Sequence, residues 1–213
     1  MEPIERITAS FTEHLREHGR YPESVYLFCQ GLGIEEKAFF SEFGSFEAVE
    51  AGLWEDLVSR VILAVESGAE WTSFSARQRL LTFHFAFLEE ALSWRSLMLS
   101  RFGATGPFAR PAWMRGFEAR FKAFASGIVA KGVESGEIAD RGRLTPLYPE
   151  ALYFHLRSVI DFYLKDDSKR FERTDAFVEK SAAVAFDVIR TQALDSAVDL
   201  ARFLVPRPHA CKG

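Results

Sequence analysis

The sequence predicts an all-α protein, three short helices followed by a bundle of about six longer ones. Apolar residues recur at steps of three and four along nearly the whole chain, the spacing of helices with one buried face. No stretch alternates apolar and polar residues with a period of two, so strands have no signal. Gly, Pro and Ser fall between the periodic runs, where helices start and stop. With 213 residues and 48% hydrophobic composition, the chain is long enough to bury a sizeable core.

Ile4, Ile7, Phe11 and Leu15 mark the first helix, which Gly19 stops. Pro22 opens a second, carrying Val25, Leu27 and Phe28 and ending near Gly31, and a short segment from Ile34 to Phe43 follows. Ser45 is a good N-cap for a long helix through Phe46, Val49, Leu53, Leu57, Val61 and Val65, with Glu47 and Glu50 near its positive end. One helix is expected from about Ser75 to Ser100, with Leu80, Phe83, Phe87, Ala91, Trp94 and Met98 on a stripe. Phe102 to Pro111 holds two Gly and two Pro and reads as a loop. Trp113, Phe117, Phe121, Phe124 and Ile128 mark the next helix, ending near Gly132 or Gly136. After a turn region up to Pro149, two helices finish the chain, about Pro149 to Lys165 and Thr174 to Leu204, before a frayed tail from Pro206. The change in helix length near residue 45 places the domain boundary, giving a head over residues 1–50 and a body over 51–213.

Composition excludes several classes of function. Lys and Arg number 26 against 30 Asp and Glu, a net charge of −4, unlike a chain built to coat nucleic acid. No apolar run approaches the roughly 20 residues of a membrane span, so no integral membrane association is expected. The first residues lack the basic and apolar blocks of a signal peptide. Cys29 and Cys211 make no disulfide framework. These features point to a cytoplasmic protein with reduced thiols.

Helix, short helix, tight turn, short helix is a helix-turn-helix order. Within it, Gly33-Ile34, Phe39-Phe40 and Phe43-Gly44-Ser45-Phe46-Glu47-Ala48-Val49 resemble the Gly-Val, Leu-Tyr and Phe-Gly-Ser-Lys-Glu-Ala-Leu stretch of TetR-family repressors. His18-Gly19-Arg20 and Ser24-Val25 fall at that family's first turn and the start of its second helix, and Gly132 to Gly136-Glu137-Ile138 resembles its Gly-x-x-x-Gly-Glu-Leu turn. The resemblance implies a three-helix DNA-binding head and a helical body that binds a small ligand and dimerises through its last two helices. It makes Arg20, Lys37 and Ser45 the candidate DNA contacts.

The residues of the head work against that role. Residues 1–50 hold ten Glu against four bases (Arg6, Arg16, Arg20 and Lys37), a charge near −6, while the rest of the chain is near +2. DNA-binding modules show the reverse, because phosphate neutralisation supplies most non-specific affinity. Where the family pattern has a phosphate-contacting Tyr and a Lys, this chain has Phe40 and Phe46; a Thr is replaced by Ala38 and an Arg by Tyr26. Glu35 and Glu36 stand at the start of the recognition helix, where a phosphate would approach backbone N–H groups. DNA binding is therefore expected to be weak.

In the body, Phe83, Phe87 and Trp94 on one helix and Trp113, Phe117 and Phe121 on another are expected to line an apolar ligand cavity, gated by the 103–111 loop. His84 or His155 is the candidate to orient a ligand's polar end; Glu89, Glu90, Arg95, Arg157 and Asp161 are further polar residues on or beside the apolar stripes. Leu152, Leu156, Val159, Ile160 and Tyr163, with Phe177, Ala185 and Ile189, are the expected homodimer face. His14 and His18 share a helix face without a third metal ligand, and no catalytic arrangement stands out. No enzyme activity, metal or cofactor is expected. The predicted partners are a second copy of the chain, a hydrophobic small molecule and, weakly, DNA. The alternative is a TetR-fold hydrophobic-ligand or lipid-binding protein that does not bind DNA, similar to helical lipid-binding proteins of ubiquinone biosynthesis. A third reading is an adaptor whose acidic head meets a basic partner.

Overall fold

The computed structural model describes residues 3–190, and among the described residues all regular structure is helical. Helix α1 (Pro3–His18) buries Ile7, Phe11 and Leu15 on one side. Gly19 turns the chain with a positive φ of 66°. Helix α2 (Val25–Leu32) starts where Ser24 accepts from the Leu27 amide at 3.2 Å. It stops at Gly33, in the left-handed conformation, whose N–H reaches the Cys29 and Gln30 carbonyls. The expected stop at Gly31 is thus two residues early: Gly31 lies within α2, and only Gly33 has the backbone that needs glycine. Helix α3 (Glu36–Glu42) packs Phe39 inward, and Ser45 caps α4 (Phe46–Glu66) by accepting from the Ala48 amide.

Helix α4 belongs to both halves of the molecule. Its first turns put Phe46 and Val49 into the head, and Leu57, Val61 and Val65 run on into the body. Residue 50, the expected domain limit, falls inside it.

The body consists of α5 (Ala76–Leu92), α6 (Arg95–Arg101), α7 (Arg115–Glu134), α8 (Tyr148–Lys165) and α9 (Glu172–Arg190). The single helix expected from Ser75 to Ser100 is two helices, broken at Ser93 and Trp94. Neither residue is a helix breaker by propensity, so distant contacts decide the break. Arg16 lies 5.0 Å over the Trp94 ring, and Arg95 donates to the Tyr163 and Asp166 carbonyls at the end of α8. The expected final helix is present up to Arg190; its continuation to Leu204 and the tail lie outside the described residues.

The turn after α7 shows why its residue types recur together. Gly136 takes a positive φ, and the Ile138 amide returns to the Gly132 carbonyl at 2.9 Å. A Cβ on Gly132 would sit 2.5 Å from Ile138 Cδ1 and 3.0 Å from Ala76 Cβ, so only glycine lets the buried Ile138 close against the helix. Glu137 then accepts from the amides of Ala76 and Arg77 at 2.7 and 3.0 Å, placing its charge at the positive end of α5. Ser75 and Gln78 complete a capping box there. Gly132→Ala is expected to destabilise the protein by about 1–3 kcal/mol through overpacking. Glu137→Gln keeps an acceptor and removes the charge, so its loss should stay near 1 kcal/mol or below; urea unfolding of both variants checks the order.

Candidate functional site

The head surface is assembled from α2 and α3. Lys37 and Arg20 are exposed and make no ion pair among the described residues, whereas Ser45 is committed to capping α4. Arg6 is bonded to the Leu32 carbonyl, and Arg16 reaches the Ser93 carbonyl and the Trp94 ring. Two of the four head bases therefore hold the structure together. Exposed Glu36 and Glu42 share α3 with Lys37, exposed Glu35 precedes that helix and exposed Glu47 lies in the first turn of α4, while Tyr26, Leu27 and Phe40 are each at least half exposed. Phe46 is buried, stacked on Phe11 at 5.6 Å and edge-on to Phe28 and Phe39. The two positions that resemble phosphate contacts have thus diverged: Phe46 is head core and Phe40 is surface.

The base of the head carries a polar cluster. Glu50 on α4 is fully buried. Arg101, at the end of α6, grips both its oxygens, Nε to Oε1 at 2.8 Å and Nη2 to Oε2 at 2.7 Å. The Tyr21 hydroxyl donates to Oε2 at 2.6 Å and the Trp54 indole N–H to Oε1 at 3.0 Å. Burial and the neighbouring carboxylate hold the Tyr21 phenol well above its ordinary pKa, so it stays a donor. The Arg101 guanidinium also lies 5.1 Å from the Tyr21 ring and 5.5 Å from the Trp113 ring. One carboxylate thus joins the turn after α1, the head-bearing helix α4 and the body helix α6.

Sequence reasoning placed Glu50 at a helix end and gave Arg101 no role. A signal was present: Glu50 lies four residues from both Phe46 and Trp54, on the buried stripe of α4. A carboxylate there requires a donor from elsewhere.

The aromatic residues expected to line a cavity meet ring to ring. Phe83 lies 5.1 Å from both Phe121 and Phe124, and Phe87 lies 5.9 Å from Phe117. Trp94 and Trp113 sit higher, at 6.2 and 6.1 Å from Trp54, beneath the head. Trp94 borders a cleft of about 480 Å³ between α1 and α4. The expected pocket residues therefore form two groups, a closed core between α5 and α7 and a junction below the head.

His84 is wholly buried. Its Nδ1 lies 2.7 Å from the Leu80 carbonyl, which only accepts, so Nδ1 carries the proton. The His155 ring is 5.0 Å away and bonds Ser181 on α9 through Nε2 at 2.8 Å. Burial lowers His84 to about 3, with the His155 ring contributing, and lowers His155 to about 4.

The expected dimer residues divide sharply. Leu152, Leu156, Val159, Ile160, Tyr163 and Ile189 are buried within the chain itself. Phe177 and Ala185 stay partly open. Phe177 stacks on Phe162 at 4.5 Å, and Val184, one heptad along α9, is 62% exposed. Periodicity identified residues that must be covered, and the bundle covers most of them itself.

Comparison with known proteins bears on this architecture. Residues 79–204, more than half of the chain, match the model of the tetracyclin repressor-like C-terminal domain. The chain belongs to the TetR family. A protein described as a tetR family transcription regulator from Shewanella sp. PV-4 has a similar structure, with TM-score 0.63 and 14% identity over 89% of this chain and 98% of that one. A protein of unknown function from Rhodococcus sp. RHA1 gives TM-score 0.61 and 17% identity over 90% and 97%. A tetR-family regulatory protein from Rhodococcus RHA1 gives 0.52 and 12% over 89% and 97%. No curated protein matches the sequence. At these identities the solved structures establish the TetR fold. No helix among the described residues is long and apolar enough to cross a membrane.

Within this TetR body the two histidines set an acid limit. The unfolded chain takes up protons on both near pH 6.5, while the folded chain keeps them neutral to about pH 4 and about pH 3. The unfolded state thus binds more protons below pH 6.5, and stability falls as pH drops through that window. Urea unfolding from pH 7 to 4 should show a shallower decline for His84→Gln than for the parent; parallel curves would contradict this.

Proposed function

We propose that the protein is a homodimeric, ligand-responsive transcriptional regulator whose head binds DNA through few phosphate contacts. The observation that carries this reading is the buried Glu50–Arg101 pair, which ties the helix-turn-helix carrier α4 to α6 in the body. A change in the body that moves α6 moves the group that positions the head. TetR membership supports the regulator class, and a cytoplasmic location follows from that role.

The DNA reading rests on surface charge. Arg20 and Lys37 are the exposed bases of the head that make no ion pair or hydrogen bond among the described residues, and the α2–α3 surface is otherwise acidic, apolar or neutral polar. A head with so few contacts has a shallow salt dependence, since each phosphate neutralised adds about 0.9 to the log–log slope. Phe46→Lys is unsuitable for restoring contacts because it buries a charge in the head core. Glu36 and Phe40 are both exposed. Glu36→Lys with Phe40→Tyr is expected to tighten binding to random duplex at least tenfold at low salt and to steepen the slope by about one unit per added contact. Tight, steeply salt-dependent binding by the unaltered protein would contradict the weak-head reading. Absence of binding to any duplex, before and after substitution, would favour the second reading, a TetR-fold hydrophobic-ligand binder that does not use DNA; exposed Tyr26, Leu27 and Phe40 support that alternative.

The dimer face that remains open runs along α8 and α9 through Phe154, Phe162, Phe177, Val184 and Ala185. Light scattering at micromolar concentration is expected to give a dimer for the parent and a monomer for Val184→Glu, because a stable interface tolerates no unpaired charge near its centre. A monomeric parent would overturn the dimer.

A further inference from the structure

We propose that Arg157 and Tyr153 form a binding site for the carboxylate of an apolar organic acid, closed in this structure by the 103–111 loop. The proposal rests on the ligand-responsive reading above and names the chemistry of the ligand. Arg157 is 2% exposed and has no carboxylate within ion-pair distance among the described residues. A buried guanidinium without an anion is costly, and folded proteins pair such groups or neutralise their charge with a ligand.

The present partners of Arg157 are neutral. Nη1 reaches the Ala109 carbonyl at 3.3 Å and the Met114 sulfur, and Nη2 reaches the Gly106 carbonyl at 3.1 Å and the Thr105 hydroxyl at 3.4 Å. Nε is buried and has no acceptor. Tyr153, one turn earlier on the same face of α8, has a buried hydroxyl that finds no acceptor and lies beside the Arg157 guanidinium, whose charge opposes the rise that burial gives the phenol's pKa. Two donors four residues apart thus stand without an acceptor beside a full positive charge.

Charge and surroundings define the ligand. One guanidinium balances one negative charge, so a monocarboxylate fits and a dianionic phosphate leaves an excess buried charge. Phe102 lies 5.4 Å from the guanidinium carbon, and Tyr153 is flanked by Phe117 and Phe121 at 6.5 and 6.3 Å. These rings favour an aliphatic or aryl body on the acid.

The loop explains how the site is closed. Its carbonyls occupy Nη1 and Nη2, the positions a bidentate carboxylate takes. Arg110 fastens the loop from outside through Glu118 at 2.9 Å and through Glu150. Phe108, at the loop's outer side, is 76% exposed. Entry of the acid exchanges carbonyl–guanidinium bonds for carboxylate–guanidinium bonds, which are stronger.

The test is calorimetric titration of the full chain with octanoate, dodecanoate and 3-phenylpropanoate, each against the corresponding primary alcohol. At least one acid is expected to bind at least tenfold tighter than its alcohol. Arg157→Met should abolish that preference, and Arg157→Lys should retain part of it by keeping the charge without the fork. Tyr153→Phe should weaken the acid several-fold and leave the alcohol unchanged. Alcohols that bind as tightly as acids would overturn the anion site while leaving hydrophobic ligand sensing intact. Binding of neither series, or an acid preference that survives Arg157→Met in a folded variant, would overturn the proposal.

Discussion

The buried carboxylate of Glu50 is the constraint on which the rest of this structure depends. A fully buried charge must be satisfied in detail, and here four donors from three separate parts of the chain converge on it. Each donor fixes the position of an element: Tyr21 the turn leading into α2, Trp54 the third turn of α4, and Arg101 the end of α6. The pair is bidentate, so it sets orientation as well as distance. Well-packed apolar groups can replace such a pair without loss of folding; what this pair adds is a fixed link between head and body. Arg101 is also followed directly by Phe102 and the 103–111 loop, whose carbonyls touch Arg157. The head-positioning contact and the loop that covers the proposed ligand site are therefore adjacent in the chain.

Aromatic packing extends this coupling through the molecule. In the head, Phe11, Phe28, Phe39 and Phe46 form one cluster. At the junction Trp54 contacts Trp94, Phe102 and Trp113, and Phe102 contacts Phe117. Phe117 then meets Phe87, and Phe83 continues to Phe121 and Phe124. Interdigitated rings transmit small displacements because a packed interior has little free volume to absorb them. The phenylalanines among the described residues thus serve chiefly as contiguous core.

Local chemistry was legible in the sequence wherever neighbours along the chain decide the outcome. Ser45 was suited to capping and caps α4; Ser24 and Ser75 cap α2 and α5 in the same way. The Gly132 to Ile138 turn was visible as a motif, and its physical basis is a close approach, a left-handed glycine and a carboxylate on a helix N-terminus. What the sequence concealed depends on distant partners. The break between α5 and α6 has no Gly or Pro; it follows from Arg16 over Trp94 and Arg95 against the end of α8. Periodicity marked Leu152, Leu156 and Val159 as buried without saying whether a second chain or the same one buries them. The same limit applied to the aromatic stripes, which read equally as cavity wall and as packed core. Arg157 was visible as a polar residue beside an apolar stripe, but its lack of an acid required the fold.

The central claim, that Glu50 and Arg101 act as one unit joining head to body, is tested most directly by a double-mutant cycle. Glu50→Gln, Arg101→Met and the double variant are unfolded in urea at pH 7. The account predicts that each single change costs about 3–5 kcal/mol, because it leaves a buried polar partner unsatisfied, and that the double change costs far less than the sum, with a coupling of at least about 1.5 kcal/mol. Single costs that simply add would contradict it, since the two groups would then stabilise head and body independently.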